Sequence, residues 1–300
     1  DIGKSSYHRN ILLEYKKNRE ISSVIHEVYN TKIKEIRDRN FNLANMILNR
    51  IPNVHFICLN CLESDFVPHY LITRRFKNEV DTLHVIATND HDHYQCITED
   101  NIIQVYKIKD SRKTLTKDNV FLKYTKYEDM SVKNKELKIK MINKVKPEWM
   151  AAIQSIVGDP GDDIPGVNGI GPLRSLEIFS NEELVNKLIG TVDELNSRVF
   201  SGGNFFKEDV IGVSNLPSLW HKAVINNDVV TDAYRLISFE QLALWLEKRD
   251  TVSKIEWLDY MDDVIYKRKF DLITSSTPLF KSVEQLEDNQ LTEGIVDCIF

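Results

Sequence analysis

The feature that most constrains this chain is a glycine-rich segment, residues 158–171, which reads GDPGDDIPGVNGIG. It holds five of the chain's eleven glycines and is flanked, within residues 147–179, by two amphipathic segments that predict helices. A hairpin between two helices presents backbone N–H groups and a helix N-terminus to a phosphate. Because they lack a Cβ atom, Gly166, Gly169 and Gly171 would let a DNA backbone approach closely. Such contacts position a duplex without reading its sequence.

Short runs of β-branched and apolar residues predict a sheet upstream of this hairpin. Residues 53–59 (NVHFICL), 82–87 (TLHVIA) and 102–106 (IIQVY) each have the length and composition of a strand. Residues 66–76 read as a helix between the first two strands, which gives a βαβ-like unit. The predicted fold class is therefore α/β, with a parallel sheet.

Acidic side chains follow two of these predicted strands directly. The carboxyl ends of parallel strands lie at one edge of a sheet, where the sites of open α/β folds occur. Crowded carboxylates raise one another's pKa, and hard divalent cations, which prefer oxygen ligands, relieve that repulsion. Two metals about 4 Å apart would also activate a water and stabilise a leaving oxygen. Either pair alone is commonplace on a protein surface, but together they predict a metal site formed by Glu63, Asp65, Asp90 and Asp92.

Histidine and cysteine offer alternative sites that the sequence favours less. Three histidines lie close together in the same region, so a zinc site remains an alternative: His84, His91 and His93. However, His91 alternates with two acids, which predicts that it faces away from them. Cys58 and Cys61 form a C-x-x-C without a second ligand pair at zinc spacing, so buried thiols are the favoured interpretation.

Charge is distributed unevenly along the chain, whose formal net charge is −6. Residues 1–50 contain ten basic and six acidic side chains, and residues 107–146 contain thirteen and five, so a polyanion would bind locally. Apolar spacing in residues 20–50 predicts one or two long helices. With 42% hydrophobic and 28% charged residues, and no apolar run near the roughly 18 residues of a membrane span, we expect a soluble globular protein. Cysteines that are interpreted as reduced, and a sequence without a signal peptide, predict that it is cytoplasmic.

Four segments resemble the 5′-nuclease (flap endonuclease) family, and they occur in the family's order. ATNDHDHYQC is similar to its strand motif T-x-D-x-D-x-x-Q, and VGDPGDDIPGVNGIGPLRS is similar to its helix–three-turn–helix motif. LESDF matches the E-A-D-D position, and DIGKSSYHRNILLEYKKNR resembles the segment that carries a metal-binding Asp followed by R…YK-x-NR. The phage-encoded enzymes and the nuclease domains of bacterial DNA polymerase I are the members that it resembles most.

The resemblance implies a PIN-like parallel sheet flanked by helices, with a helical arch at about residues 17–45 through which a single-stranded 5′ end threads. The implied nuclease core covers residues 1–146, and a mostly helical region with the helix–three-turn–helix motif covers residues 147–250. Residues 251–300 would form C-terminal helices and an acidic tail.

The resemblance also implies roles for individual residues and ions. The metal ligands, for two Mg²⁺ or Mn²⁺ ions, would be Asp1, Glu63, Asp65, Asp90, Asp92, Asp159 and Asp162. The cations that contact the scissile phosphate would be Lys16, Arg19 and Arg9. The hairpin would hold duplex DNA, in some relatives with a potassium ion, through Gly166, Val167, Gly169, Gly171 and Arg174.

Three positions depart from the family pattern. Phe66 replaces the last acid of E-A-D-D, and Asp163 replaces the usual Asn and adds a charge. The family also begins with a strand that bears a further metal-binding Asp, upstream of what is here Asp1. We therefore expect the chain to be an N-terminally truncated form, which is inactive by itself if that strand is required.

The favoured function is a structure-specific 5′-nuclease, a 5′–3′ exonuclease or flap endonuclease that acts in replication and primer removal. Its partners would be branched or 5′-ended duplex DNA and RNA–DNA primers, with a clamp or single-strand binding protein as a possible contact of the acidic tail, and the protein would be a monomer. The alternatives are a non-catalytic duplex-binding module that retains the hairpin, and a smaller RNA nuclease of the toxin type, which the hairpin disfavours.

Overall fold

The computed structural model describes residues 6–12, 15–16, 27–48, 50, 63–108, 111–126, 135–208 and 216–248. Described residues from 6–16 and 63–248 form one compact unit, and helix 27–48 belongs to a second. Within this described part of the chain, no helix has the length and apolar character needed to cross a membrane. The predictions that lie outside it concern strand 53–59, residues 251–300, Asp1, Arg19, Cys58 and Cys61.

A three-stranded sheet in the order β1-β2-β3 confirms part of the predicted architecture. β1 (His84–Ala87) pairs in parallel with β2 (Ile102–Ile108), as predicted, with Ile86 opposite Gln104. β3 (Ser111–Leu115) pairs antiparallel to β2 and was not predicted. Its sequence SRKTL buries only the leucine, so it carries no apolar alternation, and its charges are typical of an edge strand.

Helices make up most of the remaining structure, as predicted for the region after residue 147. The predicted helix at 66–76 is formed by a 3-10 turn (Ser64–Phe66), a short α-helix and a π-helical turn (Leu71–Arg75). The described α-helices are α1 Ser6–Ile11, α2 Glu27–Leu48, α3 Val67–Tyr70, α4 Val120–Tyr124, α5 Lys135–Ile142, α6 Met150–Val157, α7 Pro172–Phe179, α8 Glu182–Leu188, α9 Val192–Phe200, α10 Ser218–Ile225, α11 Asn227–Ile237 and α12 Phe239–Lys248.

Helix α6 is the centre of the first unit. Met150, Ile153 and Ile156 are fully buried on it, and it packs against α7 and α11. The same apolar cluster includes Ile97 and Leu115, which belong to the sheet region. Burial of these side chains therefore fixes the hairpin after α6 against the segment that follows β1, at about 1.5–3 kcal/mol for each large apolar side chain.

The long helix α2 is described by itself. It runs for 22 residues, which confirms the prediction of a long helix within residues 20–50. Ile36 and Met46 are more than half exposed on it. Its role as part of a helical arch stays a prediction.

A candidate metal centre

One pocket of the first unit gathers five carboxylate side chains from three separate segments. Its lining includes Glu63, Asp65, Asp92, Asp159 and Asp162. Glu63 precedes the 3-10 turn that contains Asp65, Asp92 begins the 3-10 turn Asp92–Cys96 after β1, and the other two come from the hairpin after α6. The structure therefore brings together acids that the sequence places up to about a hundred residues apart.

Asp90 lies beside this pocket on the segment after β1. Its backbone N–H donates to Thr88 Oγ1 at 3.1 Å, and its Oδ1 accepts from the backbone N–H of Asp92 at 3.1 Å. The Asp90 side chain is 41% exposed, so one face remains open to solvent. Asp90 and Asp92 are thus linked in a turn.

The prediction that His91 faces away from the acids is wrong. Its Nδ1 lies 3.7 Å from Asp90 Oδ1, and its Nε2 lies 3.6 Å from Asp92 Oδ1 and 4.0 Å from Asp159 Oδ2. The alternation of side chains holds only in extended backbone, but the strand ends at Ala87 and His91 has helical dihedral angles, φ −83° and ψ −13°. His91 therefore joins the carboxylates.

The other two histidines point elsewhere. His84 stacks on Phe76 at the start of β1, and His93 is buried with its ring edge against Phe239. Neither takes part in the groups of possible metal-ligating side chains found among the described residues. These contacts do not support the alternative of a histidine-rich zinc site.

The hairpin holds its two acids through backbone bonds. Asp159 and Ile164 form a short antiparallel bridge, and Asp159 Oδ1 accepts from the N–H of Gly161 at 2.8 Å. Asp162 is buried inside this loop. Asp163 has φ +61°, a left-handed conformation that Asp and Asn adopt more readily than most residues.

Two adjacent residues reach into the pocket from the N-terminal part of the chain. The single hydroxyl proton of Tyr15 is shared between Glu63 Oε2, 2.9 Å from Oη, and Asp162 Oδ2, 3.2 Å from it. Burial and these two carboxylates raise the pKa of Tyr15, so the phenol stays protonated and donates. Lys16 Nζ donates to Glu63 Oε1 at 2.7 Å and lies 3.3 Å from Asp162 Oδ2. Burial lowers the pKa of Lys16, but these carboxylates outweigh it and hold that pKa above its usual value.

The electrostatics of the pocket fit a divalent cation. Burial and the Asp90 carboxylate raise the pKa of Asp92 to about 7, and the same two causes raise the pKa of Asp65. Asp92, Asp159 and Asp162 offer one oxygen each within 4.8 Å of one another. Among the described residues, the pocket therefore holds more carboxylates than the ammonium of Lys16 neutralises, and all of them are oxygen ligands of the kind that Mg²⁺ and Mn²⁺ prefer.

The hairpin glycines differ in what they contact. A Cβ on Gly166 would lie 1.9 Å from the carbonyl oxygen of Val157, so this glycine is required by packing inside the protein. Val167 is buried, and its N–H donates to Ile156. Contact of Gly166 and Val167 with a DNA backbone stays a prediction.

The tip of the hairpin is accessible. Gly169 has φ +72°, and a Cβ added to Gly171 would meet nothing within 4 Å. Gly171 precedes α7, whose first turn carries the exposed Arg174. Arg174 Nη1 donates to the carbonyl of Gly169 at 2.7 Å. Of the predicted DNA-binding set, Gly169 and Arg174 are therefore exposed, and Gly171 is half-buried.

Three predicted site residues stay predictions. The metal ligand Asp1 and the phosphate ligand Arg19 lie outside the described residues, and the side chain of Arg9 is also outside the described part of the structure. Lys16 is the predicted cation that the structure brings to the carboxylates.

Some residues that organise the site were missed from the sequence. Tyr15 lies in the quoted YK-x-NR motif, but nothing in the sequence showed its two acceptors. Three buried glutamines, Gln95, Gln104 and Gln154, donate to the backbone of residues 88–92. Gln95 and Gln104 lie in quoted segments, but a glutamine in a strand or helix carries no signal of what it contacts.

Comparisons with known proteins place the fold. No protein-family model matches the chain, and no match to it was found among curated proteins. The solved structure of bacteriophage T5 5′-exonuclease with bound zinc has a TM-score of 0.58 at 14% identity, covering 88% of this chain and 82% of that chain. A bacteriophage T5 flap endonuclease complex with DNA and metal ions has a TM-score of 0.53 at 14% identity, covering 96% and 81%.

At this level of identity the likeness concerns the fold. The chain has the α/β fold of these 5′-nuclease structures, with its sheet flanked by many helices. The fold class predicted from the sequence is confirmed.

Proposed function

We propose that this chain is a metal-dependent 5′-nuclease that hydrolyses phosphodiesters of DNA or RNA–DNA at 5′ ends or flaps. The observation that carries the proposal is the pocket lined by Glu63, Asp65, Asp92, Asp159 and Asp162 on a fold similar to that of T5 5′-exonuclease. Solved structures of this fold bind divalent metal ions, and one is a complex with DNA.

Two Mg²⁺ or Mn²⁺ ions would be held by these five acids together with Asp90. When bound, such ions supply an activated water and offset negative charge on the leaving oxygen of a phosphodiester. The chain itself brings together carboxylates from three segments. The Tyr15 hydroxyl links two of these segments through its hydrogen bonds with Glu63 and Asp162.

Lys16 is proposed to change partner during the reaction. In the structure its ammonium pairs with Glu63 and lies 3.3 Å from Asp162. With Glu63 and Asp162 engaged as metal ligands, the Lys16 ammonium would contact the scissile phosphate, where a fixed positive charge stabilises the charge that develops in the transition state. Arg9 and Arg19 are proposed to contact the same phosphate.

The hairpin tip is proposed to hold the duplex. Gly169 and Gly171 leave the backbone accessible, and the guanidinium of Arg174 lies next to them. These are contacts to phosphate and would not depend on base sequence. A potassium ion held by this hairpin belongs to the same proposal.

The finer predictions extend this proposal. They are a two-metal mechanism with Asp1 as a further ligand, a helical arch at residues 17–45, a role in replication and primer removal, and a monomer in the cytoplasm of a bacterium or a phage-infected host. Contacts with a clamp or a single-strand binding protein, and domain boundaries at 146 and 250, belong to them as well.

The test is cleavage of a 5′-labelled flap duplex with Mg²⁺, with Mn²⁺ or with EDTA. We expect cleavage only with metal, and its loss in Asp92→Asn. The matched control is Asp100→Asn, because Asp100 is 82% exposed and pairs with Lys117 away from the pocket. Duplex binding by Asp92→Asn should be kept or become tighter, because a negative charge near the phosphate is removed.

The same assay is run on the chain with the family's N-terminal strand restored, because the chain alone is expected to be inactive if that strand is required. If both forms bind the duplex and neither cuts it under any metal condition, the nuclease is refuted and the non-catalytic duplex-binding module is favoured. Equal cleavage by wild type and Asp92→Asn would refute the assignment of the site.

A further inference from the structure

The segment that carries Asp90 and Asp92 is irregular, and its backbone carbonyls are bound by side-chain amides. Gln104, on β2, donates from Nε2 to the carbonyl of Thr88 at 3.0 Å and to that of Asp90 at 2.9 Å. Gln104 is fully buried. One side chain thus binds the backbone on both sides of residue 89.

A second amide reaches the same segment from the helical region. Gln154, on α6, donates from Nε2 to the carbonyl of His91 at 3.2 Å, across 63 residues of sequence. Gln154 is 4% exposed. Because α6 also leads into the hairpin with Asp159, this bond links the two sources of carboxylates.

A third amide binds the last carbonyl of the segment. Gln95 Nε2 donates to the carbonyls of Asp92, at 3.0 Å, and Ile237, at 3.1 Å, while its Oε1 accepts from the N–H of Phe239 at 2.9 Å. Gln95 therefore ties the turn with Asp92 to the junction between α11 and α12.

We propose that Gln95, Gln104 and Gln154 are positioning residues that hold Asp90 and Asp92 in the geometry for metal binding. This inference rests on the proposed function. Three elements supply the three amides, and together they bind the carbonyls of residues 88, 90, 91 and 92. An irregular segment without these bonds would sample several conformations, and its two carboxylates would lose their mutual placement.

The chemistry of the donors supports a role in metal binding. Lysine or arginine could also donate to these carbonyls, but a cation there would compete with a metal for the field of the carboxylates. An amide donates without adding charge. The segment is therefore fixed while the negative potential of the pocket is kept for a cation.

A purely structural role fits these glutamines less well. Among the described residues, the buried Oε1 atoms of Gln104 and Gln154 have no hydrogen-bond partner. A buried acceptor without a partner lowers stability, so each side chain retains a destabilising atom in order to place its donor. That arrangement is expected where function depends on the position of the backbone segment that carries Asp90 and Asp92, even at a loss of stability.

The test measures metal affinity directly. Gln104→Met and Gln154→Met remove one amide each at similar volume. Mn²⁺ binding to the full chain is followed by titration calorimetry, and the thermal stability of each metal-free variant is recorded beside it. We expect Mn²⁺ affinity to fall about 10- to 100-fold in both variants. Flap cleavage should recover toward the wild-type rate as Mn²⁺ is raised to saturation.

The matched control is Gln241→Met. Gln241 is equally buried, and its Nε2 donates to the carbonyl of Asn196, outside the segment with the acids. This variant should lose thermal stability and keep wild-type Mn²⁺ affinity. If Gln104→Met does not fold, Gln154→Met, which loses one bond rather than two, carries the same comparison.

The outcomes separate this inference from the proposed function. A wild-type chain that binds no Mn²⁺ overturns both. Wild-type binding with equal affinity in all three variants overturns the positioning role and leaves the metal centre in place. An equal fall of affinity in Gln241→Met and in the other two also overturns it, because general loss of stability would then be the cause.

Discussion

Lys16 and Glu63, 47 residues apart, form a partly buried ion pair in which Nζ lies 2.7 Å from Oε1. The same ammonium lies 3.3 Å from Asp162, so it occupies the space between two carboxylates of the candidate metal centre. Lys16 has φ +56°, a left-handed backbone that is uncommon for a lysine. This residue therefore acts as the cation of the pocket in the structure.

Replacing Lys16 separates metal binding from cleavage. In Lys16→Met we expect Mn²⁺ affinity to rise several-fold, because the competing ammonium is gone. Cleavage at saturating Mn²⁺ should fall about a hundredfold, because the phosphate loses a fixed positive charge. Calorimetry and single-turnover cleavage measure the two effects. Lys117→Met, which removes the partner of the exposed Asp100, should change neither quantity. An unchanged cleavage rate in Lys16→Met would contradict the role of Lys16.

Stability of the metal-free chain should depend on pH through Asp92. Its pKa is raised from 3.8 to about 7 in the folded chain, so folding favours the protonated acid. This contribution is fully present below about pH 4 and is lost as pH rises through 7. We expect thermal unfolding in EDTA to show it as the difference between wild type and Asp92→Asn, which should grow from pH 5.5 to pH 8.

The measurement compares wild type with Asp92→Asn because two buried histidines change the stability of the fold with pH in the opposite direction. Burial lowers the pKa of His8 and of His93, so those groups stabilise the fold as pH rises. They are present in both proteins and cancel. Mg²⁺ should restore the thermal stability that wild type loses at pH 8 relative to Asp92→Asn. If the difference in stability between the two proteins does not change with pH, Asp92 does not titrate in this range.

The hairpin glycines should give opposite results on substitution. Gly166→Ala places a Cβ against the carbonyl of Val157, where backbone must move, so we expect a loss of about 3 kcal/mol of stability. Gly171→Ala meets no atom and should change stability by less than about 0.5 kcal/mol. Chemical denaturation measures both, and a fall in duplex binding by Gly171→Ala alone would show that DNA approaches there.

A charge network joins α12 to the helical segment after Glu63. Glu240 accepts from His69 at 3.0 Å and from Arg74, while Glu247 accepts from Arg74 at 2.7 Å. We expect Glu240→Gln to lower stability by about 2 kcal/mol. Glu247→Gln is the control and should lower it by less than about 1 kcal/mol, because that side chain is 35% exposed.

The dependence on pH checks the same network. Burial raises the pKa of Glu240, but its bonds to His69 and Arg74 outweigh burial and hold that pKa below its usual 4.5. The carboxylate therefore stabilises the fold above pH 4.5, and this contribution is lost as pH falls through the folded-state value. The difference in unfolding free energy between wild type and Glu240→Gln should become smaller as the pH is lowered. A difference that does not change with pH would indicate that the substitution acts through lost packing instead.

The parts of the fold that the sequence predicted were those with strong local signals. Strands β1 and β2 are rich in β-branched and apolar residues, and the helices around the hairpin have an apolar face, so period and composition were sufficient. The acids after β1 could be predicted to join a site because the carboxyl ends of parallel strands share one edge.

The remaining parts depend on contacts that sequence position does not encode. His91 could not be placed by alternation because the backbone leaves the strand at Ala87. Tyr15 contacts Glu63 and Asp162, which are 48 and 147 residues away, and Gln154 contacts His91, which is 63 residues away. Only the folded chain brings these partners together. Glycine is required at position 166 because the carbonyl of Val157 lies close to it. The sequence had instead predicted this glycine as a place where a DNA backbone approaches.

The hairpin carries both an acid of the metal centre, Asp162, and the exposed tip at Gly169. Gly169 lies seven positions after Asp162, and a chain of that length spans at most about 24 Å even when fully extended. Because a DNA duplex rises about 3.4 Å per base pair, the tip lies within about seven base pairs of the carboxylates. Under the proposed function, the length of the hairpin would therefore limit the distance along the duplex between the contact at Gly169 and the scissile phosphate.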